Sequence, residues 1–182
     1  MGLISGRLRG GALKPGFRML PFGYKEHIET IELDSDQSSV TFSDIPDDYE
    51  ALELYLETNT DSTSSSDALI RFNEDTGDSN YESYQLVWDD SVSSSVRDEG
   101  RFAAISNDGR DNDSHKLMIE GYSSTDMKTT YTTSHLFVHS PNARKNSGWW
   151  DNTDVVNQVE VSADEDNFRS GSRFVLHGVN RV

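Results

Sequence analysis

Two loops gather the side chains best suited to hold a cation. Asn73-Glu-Asp-Thr-Gly-Asp-Ser-Asn80 places Asp75 and Asp78 among amide and hydroxyl oxygens, and Asp108-Gly-Arg-Asp-Asn-Asp113 does the same with Asp111 and Asp113. Hard cations favour such oxygen ligands, but neither loop has the alternate acidic positions and late Glu of an EF-hand. Gly77 and its Asp and Asn neighbours equally suit a hairpin loop in which Gly77 takes positive φ. Both loops are therefore expected to be turns that hold cations loosely at most, and no specific metal site or cofactor is expected.

Trp149 and Trp150 follow Gly148 and precede Asp151. An aromatic pair beside an acid offers a stacking platform for a sugar ring or an assembly interface; the alternative is that the rings cap the core. His27, His115, His135, His139 and His177 are scattered. His135 and His139 lie in an extended pattern, roughly 13 Å apart at 3.3 Å per residue, and cannot share a metal. No HExxH, GxSxG, Walker A or GxGxxG pattern occurs, and the serine runs Ser62–Ser66 and Ser91–Ser95 read as turn chemistry. Nothing at short range supports an enzyme.

Residues 1–25 carry Arg7, Arg9, Lys14, Arg18 and Lys25 with no acid. Leu3, Ile4, Leu8, Leu13, Phe17, Met19, Leu20 and Phe22 are interspersed, and Gly and Pro interrupt any regular period. An extended anchoring arm that docks in a groove on a neighbouring subunit fits this mixture. A DNA contact or a flexible tail are the alternatives, and Phe17 and Phe22 argue against DNA.

The elements that must position these residues are short strands. Leu52, Leu54 and Leu56 alternate with Glu53, Tyr55 and Glu57, and Ala68, Ile70 and Phe72 with Leu69, Arg71 and Asn73. Similar runs begin at Val40 and Tyr84 and span 102–105, 117–119, 129–138, 155–161 and 173–179. That makes about nine strands with turn signals between them and no helical stripe. Residues 89–100 and 139–153 read as long connections, which favour Greek-key or jelly-roll crossings. The expected architecture is an all-β antiparallel β-sandwich, a jelly roll, spanning 26–182 behind the arm.

The chain has 182 residues, no cysteine and a formal charge of −16. Residues 26–182 hold 11 basic and 32 acidic residues, so this body should bind neither nucleic acid nor anionic lipid. No run approaches the roughly 20 apolar residues of a membrane span, and the N-terminus lacks the apolar stretch of a secretory signal. The acids are 20 Asp and 12 Glu, against 11 Arg and only 5 Lys. Such an Asp-rich, Lys-poor surface is expected of a halophilic protein, whose self-repulsion salt must screen; an acidic mesophilic surface protein is the alternative.

Three stretches together carry a resemblance. They are Val40–Leu54 (VTFSDIPDDYEALEL), Ile70–Tyr81 (IRFNEDTGDSNY), and Gly148–Thr153 (GWWDNT) leading to Asn167-Phe168 and Gly171–Gly178 (GSRFVLHG). The pattern resembles jelly-roll-like structural proteins of tailed viruses and their prophages. With the halophilic surface, it looks like a virion protein of a tailed virus of haloarchaea. The resemblance implies a non-enzymatic capsid turret or decoration protein, or else a tail or baseplate component. Its partners would be further copies of itself and other virion proteins such as the major capsid protein, and it would be assembled in the host cytoplasm and then work extracellularly in high salt. A host-attachment module binding surface glycan through Trp149 and Trp150 is the other reading.

Overall fold

The computed structural model describes residues 24–61, 66–88, 92–97, 101–105, 113–135, 143–164 and 166–180. These form twelve strands: β1 (Tyr24–Glu32), β2 (Ser39–Phe42), β3 (Ala51–Thr58), β4 (Ser66–Phe72), β5 (Tyr81–Trp88), β6 (Val92–Arg97), β7 (Arg101–Ile105), β8 (Asp113–Glu120), β9 (Lys128–His135), β10 (Ala143–Trp150), β11 (Val159–Ala163) and β12 (Arg173–Asn180). One short 3₁₀ turn, Asp78–Asn80, precedes β5. The arm residues Arg7, Arg9, Lys14, Phe17, Arg18 and Phe22 lie outside the described residues, as do Asp111 and His139.

The strands build two antiparallel sheets. The larger has eight strands in the order β1-β12-β3-β8-β9-β10-β5-β6, and the smaller has four, β2-β11-β4-β7. The chain passes repeatedly between them, so each sheet supplies one wall of a shared core. Leu52, Leu54 and Leu56 of β3 face inward with Leu117 and Ile119 of β8 and Phe174 and Leu176 of β12. Opposite them lie Val40 and Phe42 of β2, Ile70 and Phe72 of β4, and Val159 and Val161 of β11. All are essentially buried, each contributing roughly 1.5–3 kcal/mol of apolar transfer energy. The fold is the expected all-β sandwich.

Twelve strands replace the expected nine because three carry little hydrophobic alternation. In β1 the register slips between His27 and Glu29, a bulge at Ile28 that breaks the period of two. β6 is the serine-rich run read as turn. β10 alternates Asn146 and Gly148 inward before it reaches Trp150. The segments read as long connections, 89–100 and 139–153, thus each contain a strand. β1 also begins at Tyr24, so Lys25, counted with the arm, belongs to the sheet.

Two inward-facing positions on the large sheet depart from simple apolar filling. Gly178 lies beneath the ring of Tyr49, and a Cβ there would come within 2.4 Å of three ring atoms. Gly178→Ala is expected to cost more than about 2 kcal/mol by overpacking, read as a lowered midpoint in urea unfolding. His115 of β8 is 3% exposed and neither ring nitrogen has a hydrogen-bond partner. Burial pushes its pKa down to about 4.

Candidate binding surface on the large sheet

The outer face of the eight-stranded sheet brings together residues that the sequence keeps far apart. Successive cross-strand partners run Tyr84 (β5), Ser147 (β10), Tyr131 (β9), Met118 (β8), Glu53 (β3), His177 (β12) and His27 (β1). This single row crosses seven of the eight strands. Its middle is apolar: Ala51, Met118 and Val179 form a small buried cluster on this face, with Val175 nearby at 8% exposure.

Glu53 sits fully buried in that row, directly beneath a lid of long side chains. Lys25 of β1 reaches over β12 to its Oε1, and Lys116 of β8 holds Oε2 from the other side. Lys25 Nζ also donates to the Tyr55 hydroxyl at 2.7 Å. Both ammonium groups lie over the Tyr55 ring, 5.2 and 5.7 Å from its centroid. Burial alone would raise the Glu53 pKa, but the hydrogen bonds from Lys116 and Lys25 outweigh it and hold the carboxyl below its usual range. Two of the chain's five lysines are thus committed to one carboxylate. Beside it, the His177 ring meets Tyr55 edge-on at 5.6 Å and His27 at 5.8 Å. Burial, then the charge of His27, lowers the His177 pKa.

Toward the other end of the row, Trp149 packs on Tyr84 with ring centroids 5.4 Å apart and planes tilted by 44°. Tyr84 is 40% exposed. Its hydroxyl is hydrogen-bonded to Glu82, which raises the phenol pKa, and Glu82 stands directly opposite Trp149. Rings, a carboxylate and the flanking Thr129 and Ser147 form one outward-facing patch.

Of the two readings of the tryptophan pair, Trp150 takes the core-capping one, and a platform of both rings is corrected. Trp149 and Trp150 occupy β10 rather than a loop, so they point to opposite faces. Trp150 is fully buried, stacked on Tyr81 at 6.3 Å and tilted against Phe72 at 5.3 Å. Its Nε1 donates to Asp75 at 2.7 Å. Trp149 alone remains available to a ligand, with Tyr84 as its neighbour.

The acidic-loop candidates are also resolved by geometry. Asp75 accepts hydrogen bonds from Trp150, from the Gly77 amide at 2.9 Å and from Asn80 Nδ2 at 3.1 and 2.9 Å. Together these hold its carboxyl below the usual range against the opposing effect of burial. Both oxygens are occupied in closing the loop, the turn role expected of it. Asp78 pairs with Arg71 at 3.0 Å. Asp113 opens β8, paired with Thr58, rather than sitting in a loop. Gly77 has φ of −76°; the positive φ values fall on Asn73 and Glu74 instead. A Cβ at Gly77 would stand 2.9 Å from Asn80 Nδ2, so the Asn80 side chain would have to shift. Among the described residues no three His, Asp or Glu side chains converge as a metal-binding group.

No family model matches the chain. No curated protein and no solved structure matches it either.

Proposed function

We propose that this chain is a non-enzymatic virion surface protein, a capsid turret or decoration subunit of a tailed virus working in high salt. The observation that supports it most is the outer face of the large sheet. Eight strands spaced by about 4.8 Å make a face roughly 34 Å wide. At its centre Lys25 and Lys116 neutralise the buried Glu53 beside a small apolar cluster, and an aromatic patch with Tyr84 exposed flanks it. That is the scale of a standard protein interface, with about 800 Å² per partner. The basic, apolar segment before Tyr24 enters the sheet at its rim strand β1 and has the opposite sign to the acidic body. It is suited to anchor each copy to a neighbouring acidic subunit.

The jelly-roll reading is supported by strand order. The set β2-β11-β4-β7 in one sheet, with β3-β8 and β5-β6 in the other, makes an eight-strand wrap. The β9–β10 hairpin is let into its second sheet, and β12 and β1 extend the rim.

Light scattering in molar sodium chloride tests the assembly reading. The full chain is expected to form a closed oligomer, and Tyr84→Glu is expected to shift it to monomer, because a charge is introduced at an exposed interface ring. A monomeric wild type at every concentration would sink it. The second reading is a glycan-binding attachment module, favoured by Trp149 and Tyr84 beside Glu82. A monomer that binds a host polysaccharide, and loses binding in Trp149→Ala, would establish that reading instead.

A further inference from the structure

We propose that His27 and His177 form a two-histidine chelate for a divalent transition metal, which clips the rim strand β1 to β12. The site is independent of the assembly reading and stands on four observations.

The two residues are direct cross-strand partners on the outer face. Such partners hold their Cβ atoms about 4.5–5.5 Å apart. Two imidazoles sharing one tetrahedral metal at about 2.1 Å per bond would have ring centroids roughly 5.2 Å apart. The observed separation is 5.8 Å, with the ring planes at 80°.

The ligand atoms are prepared. His27 Nε2 lies 2.8 Å from Thr30 Oγ1. With Nε2 donating to that hydroxyl, Nδ1 keeps its lone pair. Metal-binding histidines are usually held by such an outer hydrogen bond. His177 Nδ1 is buried and has no hydrogen-bond partner. A buried polar atom left unpaired calls for an explanation, and a metal ion supplies one.

The backbone is adjusted to allow this. Residues 27 and 30 would point to opposite faces of a regular strand. The bulge at Ile28 puts both on the outer face, since His27 pairs with His177 and Thr30 with Val175. Bulges commonly re-aim side chains at functional sites. Tyr55 then fixes the His177 ring from its other side.

The groups facing the pair are Lys25 and Thr30 from β1, Glu53 and Tyr55 from β3, and Lys116 from β8. Glu53 is held by both lysines, so the protein supplies two neutral nitrogen ligands and water completes the shell. Nitrogen ligands favour Cu²⁺ over Ni²⁺ and Zn²⁺ in affinity.

The test adds Cu²⁺, Ni²⁺ or Zn²⁺ alone to the chelator-stripped full chain at neutral pH. One equivalent of Cu²⁺ is expected to bind with two nitrogens in its paramagnetic resonance spectrum. Amides of β1 should exchange more slowly with metal bound. His27 is exposed, so His27→Ala should fold normally, and it is expected to lose at least about tenfold in affinity. Thr30→Val should weaken binding by about tenfold by removing the outer hydrogen bond. Affinity unchanged in His27→Ala would overturn the proposal, because the ion would then sit elsewhere. So would no binding at millimolar metal.

Discussion

Trp150→Ala is expected to destabilise the fold by about 4 kcal/mol, whereas Trp149→Ala should cost less than about 1 kcal/mol. The two residues are adjacent, so only their faces differ. Trp150 fills the space between Phe72 and Tyr81, and removing it leaves a cavity that rigid neighbours cannot close. It also strips Asp75 of its indole donor, loosening the loop that three further hydrogen bonds from Gly77 and Asn80 close. Trp149 loses only its contact with Tyr84 at the surface. Chemical unfolding of both variants reads the difference directly. Reversed losses, with Trp149→Ala the costlier, would mean that β10 is paired one residue out of the register described, since a single slip exchanges the faces.

Acidification from pH 6.5 to 4 is expected to remove about 3 kcal/mol through His115 alone. In the folded chain its pKa is about 4, against 6.5 for an unperturbed histidine. A lowered base pKa means that the unfolded chain binds the proton first. Stability is therefore unaffected above pH 6.5, falls as pH drops through the window, and levels off below about 4, where both states are protonated. His177 contributes in the same direction. Loss of negative charge acts oppositely by relieving self-repulsion. His115→Leu separates these effects, because it should flatten the His115 portion of the curve while leaving the others. An unchanged slope between pH 4 and 6.5 in that variant would show that the imidazole is not buried uncharged.

The sandwich was legible wherever strands keep an apolar inner face, as β3, β4 and β11 do. It was illegible where the inner face is polar or small, as in β10 with Asn146 and Gly148, or where a bulge breaks the period, as in β1. That failure carried over to the site. Once β10 is read as a loop, Trp149 and Trp150 look like one platform, and only strand geometry separates them. Asp75 was correctly placed in a turn, but its link to Trp150 spans 75 residues and leaves no local trace. The row from Tyr84 to His27 is assembled by pairing alone. Glu53 did appear as the polar partner in an alternating strand, where solvent exposure is the natural expectation. Its burial depends on Lys25 and Lys116 arriving from other strands, and nothing near Glu53 in sequence signals either.

The placement of β12 governs how the molecule can come into being. This strand lies between β1 and β3, so two edges made early in synthesis stay unpaired until residues 173–180 emerge. Tyr24 then pairs with Asn180, closing a loop of almost the whole described chain. Such non-local closure places folding on the millisecond-to-second side of the usual range. It also makes this strand a keystone for the rim: a ribosome that stalls before it releases a sheet with β1 detached and one edge of β3 bare. The same adjacency brings the two ends of the described chain together, so a short peptide could join them and new termini could be opened at a surface turn without disturbing a single strand pair.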